Sequence, residues 1–269
     1  MLTKLKMAGI FDLAISIPHQ FVDIGGGMLT GTDEHIALEL VTTAKKALVD
    51  SGLLYKDFST AQDILDRRKY LLRCTTGSAK LDSFLKGGIE TQAITEIAGE
   101  FGSGKSQICY TLCVTANTPL DRKGLGGNVI FIDTENTFRS ERIFQIAEHS
   151  GISEPNEILR RIYVCKIYNT SHLEMIIQDL GKSIEEYRAK LVIVDSIALH
   201  RAEFIGRGTL AERQQRLNIM LSRLAEVHNI AVVVTNQVQS QPDDFSAGRD
   251  GLRPQVEMLW AMQLLTGLC

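Results

Sequence analysis

From about residue 69 onward, short runs apolar on both faces alternate with longer stretches of helical period. The short runs cover 93–98, 128–132, 162–167, 191–194 and 230–235 and are rich in Val and Ile. That pattern predicts parallel strands covered by helices on both sides. The helical stretches fall near 105–115, 140–149, 173–188 and 210–227. Strand and helix in strict alternation predict an α/β doubly wound domain, with a ligand at the carboxyl ends of the strands. Ahead of it, residues 34–50 carry Ile36, Leu38, Leu40, Val41, Ala44 and Leu48, an amphipathic helical pattern with Thr32 or Asp33 as its N-cap. Residues 1–53 thus read as a small helical unit with few large apolar side chains, one that leans on something else or is incomplete. Residues 54–68 read as a polar connector holding Phe58, which either inserts into a neighbour or packs on its own domain.

The turn between the first predicted strand and the helix after it reads Gly99-Glu100-Phe101-Gly102-Ser103-Gly104-Lys105-Ser106, followed by Gln107. This fits G-x-x-x-x-G-K-[ST], a loop whose backbone N–H groups converge on phosphate oxygens at a helix N-terminus. Lys105 would reach the β/γ-phosphates and the Ser106 hydroxyl would ligate Mg²⁺. The strand at 191–194 ends in Asp195, the form of a second Mg²⁺-holding carboxylate. The strand at 128–132 ends in Asp133-Thr134-Glu135. There Glu135 is the candidate general base for a water in line with the γ-phosphate, the alternative being that Asp133 or Glu135 caps the helix after Arg139. The strand at 230–235 leads into Asn236-Gln237, amides able to bond the γ-phosphate and report its loss to the polar loop 238–254, expected to be mobile.

Composition narrows this only slightly. The 269 residues are 44% apolar and 23% charged, an ordinary globular balance long enough for one large domain and a small one. The net charge of −3 gives nucleic-acid binding no support in bulk, so any such role must rest on a local patch. Arg201, Arg207 and Arg213, around Gly206 and Gly208, are either such a cationic path or solvated surface arginines. No apolar run approaches the roughly 18 residues of a membrane span, and no signal-peptide pattern opens the chain, so a cytoplasmic location is expected. Of the five cysteines, Cys109 and Cys113 sit one helical turn apart and read as small core hydrophobes rather than metal ligands.

Taken together, these motifs resemble the RecA/RadA superfamily of homologous-recombination strand-exchange ATPases, its archaeal branch most of all. The matching text includes Thr75-Thr76-Gly77-Ser78, Leu81-Asp82, Gly87-Gly88-Ile89-Glu90, the Gly99 to Gln107 loop, Gly206-Arg207-Gly208, Ala211-Glu212-Arg213-Gln214-Gln215 and Thr235-Asn236-Gln237-Val238. The resemblance implies a RecA-like ATPase core over 69–254 and a partial helix–hairpin–helix domain over 1–53. ATP and Mg²⁺ are the implied cofactors, with single- and double-stranded DNA and further copies of the chain (filament or ring) as partners, recombination mediators besides, and a nucleoid-associated location. By resemblance Arg142 stacks on adenine, Glu135 is the catalytic glutamate and Gln237 the γ-phosphate sensor. Arg201, Arg207 and Arg213 lie in or beside the first DNA-binding loop, and 238–254 is the second. Phe58 and Ala61 match the Phe-x-x-Ala polymerisation motif.

Three departures from the family's pattern stand out. Asn136 replaces a glycine and Ser140 a proline. After Pro254 the family would continue Gly-Gly-Asn-Val-x-x-His-Ala, whereas this chain runs from Gln255 to Gly267 along different text. A back-translation of that tail read one base earlier returns Gly-Gly-Asn-Val-Met-Gly-His-Ala-Thr-Thr-Tyr-Arg. Residues 255–269 are therefore expected to be a shifted reading frame. The expected function is DNA-dependent ATP hydrolysis coupled to filament formation and strand exchange. Its rivals are a catalytically impaired or truncated modulator of a recombinase filament, and an unrelated P-loop enzyme such as a small-molecule kinase.

Overall fold

Strands that alternate two apolar side-chain sets need cover on both faces, and the computed structural model supplies it. It describes residues 58–197, 207–240 and 252–254. The chain divides into two compact units, 1–69 and 70–269.

In the first unit the described residues form one helix, α1 (Ala61–Arg68). Thr60 and Asp63 cap it reciprocally: Thr60 N–H donates to the Asp63 carboxylate and Asp63 N–H to Thr60 Oγ1, each at 3.1 Å. The connector expected at 54–68 therefore ends in a helix. Phe58, just before it, is 93% exposed.

The second unit is built on five parallel strands: β3 (Ala93–Gly99), β4 (Asn128–Asp133), β5 (Ile162–Lys166), β6 (Ala189–Asp195) and β7 (Ala231–Ser240). Their order in the sheet is β3-β7-β6-β4-β5. Successive residues turn to opposite faces. Val129, Phe131, Leu191, Ile193, Ala231 and Val233 share one core with Leu112 and Cys113 of α3 (Lys105–Asn117) and Ile143 of α4 (Ser140–His149). Ile130, Ile132, Val192, Val194, Val232 and Val234 share the other with Leu173, Ile177 and Leu180 of α6 (Thr170–Tyr187) and Leu221 and Ala225 of α7 (Arg207–His228). The result is three layers, helix, sheet and helix, as the doubly wound expectation requires. Short pieces complete the unit: an antiparallel pair of β1 (Arg73–Cys74) with β2 (Ile89–Glu90), and the helices α2 (Ala79–Phe84) and α5 (Pro155–Arg160).

One expectation needs correction. Residues 238–254 are not loop throughout: β7 runs on to Ser240 and pairs antiparallel with β8 (Leu252–Pro254), Gln239 facing Arg253 in the register. Arg207 and Gly208 open α7 and Arg213 lies six residues further along it, so these two arginines stand on a helix, while Gly206 lies outside the described residues. Arg201, the helical unit over 1–53 and the tail 255–269 lie outside the described residues.

Candidate functional site

The sheet brings the candidate residues into one row. At the carboxyl edge, neighbouring strands end in Gly99 (β3), Gln237 (along β7), Asp195 (β6) and Asp133 (β4), with Gly99 facing Gln237 and Asp133 facing Asp195 in the register. Four strands contiguous in space thus deliver residues spread over 139 positions of sequence, from 99 to 237.

The phosphate loop has the backbone its sequence demands. Gly102 and Gly104 sit at φ +77° and +93°, in the left-handed region glycine favours, and Gly104 is the N-cap of α3. A Cβ on Gly99 would lie 2.5 Å from Ser103 Oγ and 3.3 Å from its Cβ, so a larger residue there would push the Ser103 side chain aside. Lys105 Nζ donates to the carbonyls of Gly99 (2.9 Å) and Glu100 (2.8 Å), which folds the cation back over its own loop. Glu100, Phe101, Gly102 and Ser103 are exposed, and Ser106 is half-buried on the first turn of α3. Exposed Gln107, on the same turn, receives Arg142 Nε at 2.8 Å, while Arg142 Nη1 donates to Gln145 Oε1 at 3.1 Å. One guanidinium is therefore spread between α3 and α4.

Asp195 is buried, with Thr235 Oγ1 donating to its Oδ1 at 2.5 Å. Its Oδ2 is buried with no hydrogen-bond partner among the described residues. A buried carboxylate oxygen left unpaired is costly unless a cation or a donor completes it. An orphaned oxygen of this type fits a divalent cation held by one carboxylate, one hydroxyl and substrate phosphates. Burial pushes the Cys109 thiol well above the ordinary range, Asp195 and Cys113 push it further, and Lys105 works against them. Both the anion and the cation are thus felt at one buried thiol. Cys113 is raised by burial and then by Asp195, so the two thiols behave as the core hydrophobes expected. Among the described residues no His/Cys/Asp/Glu cluster forms a further metal site.

The structure separates the roles of Asp133 and Glu135. Asp133, fully buried, accepts from the N–H groups of Thr137 (3.1 Å) and Phe138 (3.0 Å), tying down the loop that leads into α4. Arg139, the N-cap of α4, makes no side-chain cap bond. Both N–H groups that Asp133 receives lie ahead of the N-cap, so Asp133 fixes the approach loop and does not cap the helix. Glu135 is exposed and accepts a 2.7 Å hydrogen bond from Ser196 Oγ.

Sequence reasoning missed the polar belt behind these groups. Thr134, Ser196 and Thr235 are buried and link the ends of β4, β6 and β7. Thr134 N–H donates to Asp195 O (2.9 Å) and Ile197 N–H to Thr235 O (2.9 Å). The signal was available as Thr134 and Ser196 directly after the strand-ending aspartates and Thr235 directly after three valines, where an apolar residue would have served packing alone. On the same edge Asn236 Nδ2 donates to Glu96 Oε1 at 2.8 Å, and burial of Glu96 raises its carboxyl above the usual range.

With this geometry in hand, comparison with known proteins gives two results. A family model described as Rad51 matches residues 67–255. The DNA repair and recombination protein RadA of Cenarchaeum symbiosum (strain A) is 45% identical over 246 residues, which is 90% of this chain. The chain spans 61% of that relative's length. Among the described residues no helix is long and apolar enough to cross a membrane.

Proposed function

Because the chain belongs to the Rad51 family, we propose that it is a DNA-dependent ATPase that assembles on single-stranded DNA and promotes homologous pairing and strand exchange. The observation that carries the reading is the row at the carboxyl edge: a phosphate loop, an amide, a buried carboxylate with a free oxygen and an exposed carboxylate, in strand order. The backbone N–H groups of the loop and the N-terminus of α3 receive the phosphates of ATP. Lys105 leaves the carbonyls of Gly99 and Glu100 for the β/γ-phosphates, spreading the charge that develops there. Asp195 and Ser106 would hold Mg²⁺, which neutralises phosphate charge when bound. Arg142, already braced by Gln107, lies against the base.

Hydrolysis then asks one thing of Glu135, to align water and take its proton. The water oxygen bonds to the γ-phosphorus as the bond to the β–γ bridging oxygen breaks. The electron pair leaves with ADP, and the proton passes to the carboxylate. Gln237, level with Gly99, contacts the γ-phosphate and carries its presence along β7 into the β8 pairing. Arg201, Arg207 and Arg213 meet the DNA backbone, with the segment 238–254 as a second contact.

ATP turnover measured with and without single-stranded DNA tests this. The expected result is hydrolysis stimulated by DNA and lost in Lys105→Ala, together with loss of nucleotide-dependent DNA binding. Turnover indifferent to DNA overturns the recombinase reading and leaves an ordinary P-loop hydrolase. A second reading, an impaired modulator of another recombinase's filament, is favoured by the tail: the family match ends at residue 255, where the sequence leaves the family's pattern. The coding DNA across codons 250–269 tests the shifted frame, and codons incompatible with it end that idea.

A further inference from the structure

Ser196 follows Asp195 directly and is 2% exposed, so its hydroxyl is withdrawn from solvent. Its backbone is held by one neighbour: Ser196 N–H donates to Thr134 Oγ1, and that hydroxyl donates back to Ser196 O, each at 2.7 Å. A threonine hydroxyl serving at once as donor and acceptor leaves the Ser196 backbone satisfied and fixed. The Ser196 side chain is then free for another use, and it donates to Glu135 Oε1 at 2.7 Å.

The recipient needs such a tie. Glu135 is exposed, and it stands beyond the end of β4 in a loop fixed by Asp133 rather than by its own side chain. A free glutamate there would spread over several rotamers, and a reacting group out of place loses rate steeply. Held at Oε1 by a donor whose backbone is fixed and whose side chain is buried, the carboxylate keeps Oε2 for another partner.

We propose that Ser196 is a positioning residue for Glu135, fixing one carboxylate oxygen so that the other aligns the water that attacks the γ-phosphate. The proposal rests on the reading of Glu135 as the water-aligning base. It assigns Thr134 to hold the Ser196 backbone and Ser196 to hold the carboxylate, a chain of buried hydroxyls running from strand end to reacting group.

The test is a double-mutant cycle on the full chain, reading kcat and KM for ATP at saturating single-stranded DNA. Ser196→Ala is expected to lower kcat about 10- to 100-fold while KM for ATP stays within about twofold. In Glu135→Gln, adding Ser196→Ala is expected to cost nothing further, because the group it positions no longer takes a proton. A merely structural role would slow both backgrounds alike or move KM, and either result overturns the proposal. Should Ser196→Ala not fold, Ser196→Cys runs the same cycle with a thiol of similar volume and weak donor strength. Wild-type turnover in Glu135→Gln would instead sink the reading of Glu135 itself. A slow Glu135→Gln combined with additive effects removes Ser196 alone.

Discussion

Asn136 sits at φ +56°, left-handed backbone that costs most side chains about 1–2 kcal/mol. The family's pattern has glycine there, and asparagine is among the few other residues that visit this region readily. Four positions on, Ser140 opens α4 where the pattern has proline. Proline at the first helical position sacrifices no hydrogen bond, but it needs an extended residue before it. Arg139 provides one, at φ −132° and ψ 103°. Both departures are thus substitutions that the local backbone accepts. Ser140→Pro is expected to raise stability by about 0.4–1 kcal/mol, because it restricts the unfolded chain more than the folded one. Asn136→Ala is expected to lower it by about 1 kcal/mol. Thermal unfolding checks both, and a destabilised Ser140→Pro would mean that the Ser140 N–H is in use.

At the scale of elements, the segment from β1 to α2 is held by one carboxylate. Asp82 accepts from Thr75 Oγ1, from Thr76 N–H at 2.7 Å and from Thr76 Oγ1 at 2.7 Å. Thr115 Oγ1 of α3 donates to Thr75 O at 2.8 Å, joining this turn to the helix that carries the phosphate loop. Partial burial pulls the Asp82 carboxyl upward, but the hydrogen bonds from Thr75 and Thr76 outweigh it and hold it below the usual range. A depressed folded-state pKa gives stability that is present above the ordinary carboxylate range and lost as pH falls through the folded value. Asp82→Ala should therefore cost about 1–3 kcal/mol at pH 7. The gap to wild type should narrow steadily in urea unfolding as the pH is taken below about 4. A gap of constant size would show that Asp82 acts by packing alone. Glu96 has the opposite sign, its burial favouring the protonated form, so acid relieves it.

The same scale explains what the sequence made legible. The central strands, buried on two faces, announce themselves by runs of Val and Ile, and the five strands of the parallel sheet were read to within two residues except at the far end of β7, which runs five residues beyond its expected stop. The helix 140–149 was read with the bounds it has. Two-residue β1 and β2, and six-residue α2 and α5, are too short to display a period. The β7–β8 pairing rests on contacts across a polar segment, which no local pattern encodes. At the site, the phosphate loop was legible because its glycines and lysine act within eight adjacent positions. The division of labour between Asp133 and Glu135 was not, since two nearby carboxylates differ only in which backbone N–H groups the folded loop turns toward them.

At the scale of the whole molecule, Phe58 poses the sharpest question. Burying a phenylalanine stabilises by roughly 1.5–3 kcal/mol, yet this ring is 93% exposed at the entry to a capped helix. An exposed ring on a short, preordered segment costs little to dock, because α1 and its reciprocal Thr60–Asp63 cap are already formed. Ala61 begins that helix, and its small side chain would let a partner surface approach closely. The alternative that Phe58 packs on its own domain finds no support in that exposure. If the ring instead inserts into a second copy, Phe58→Ala removes an anchor of the kind that dominates interfaces, worth about 2 kcal/mol or more. Among the described residues the ring makes no buried contact, so the variant is expected to keep the wild-type unfolding transition. If the chain assembles with ATP and DNA as proposed, light scattering should show the variant as monomer at concentrations where wild type forms large assemblies. Assemblies that persist in a folded Phe58→Ala variant would assign self-association to another surface.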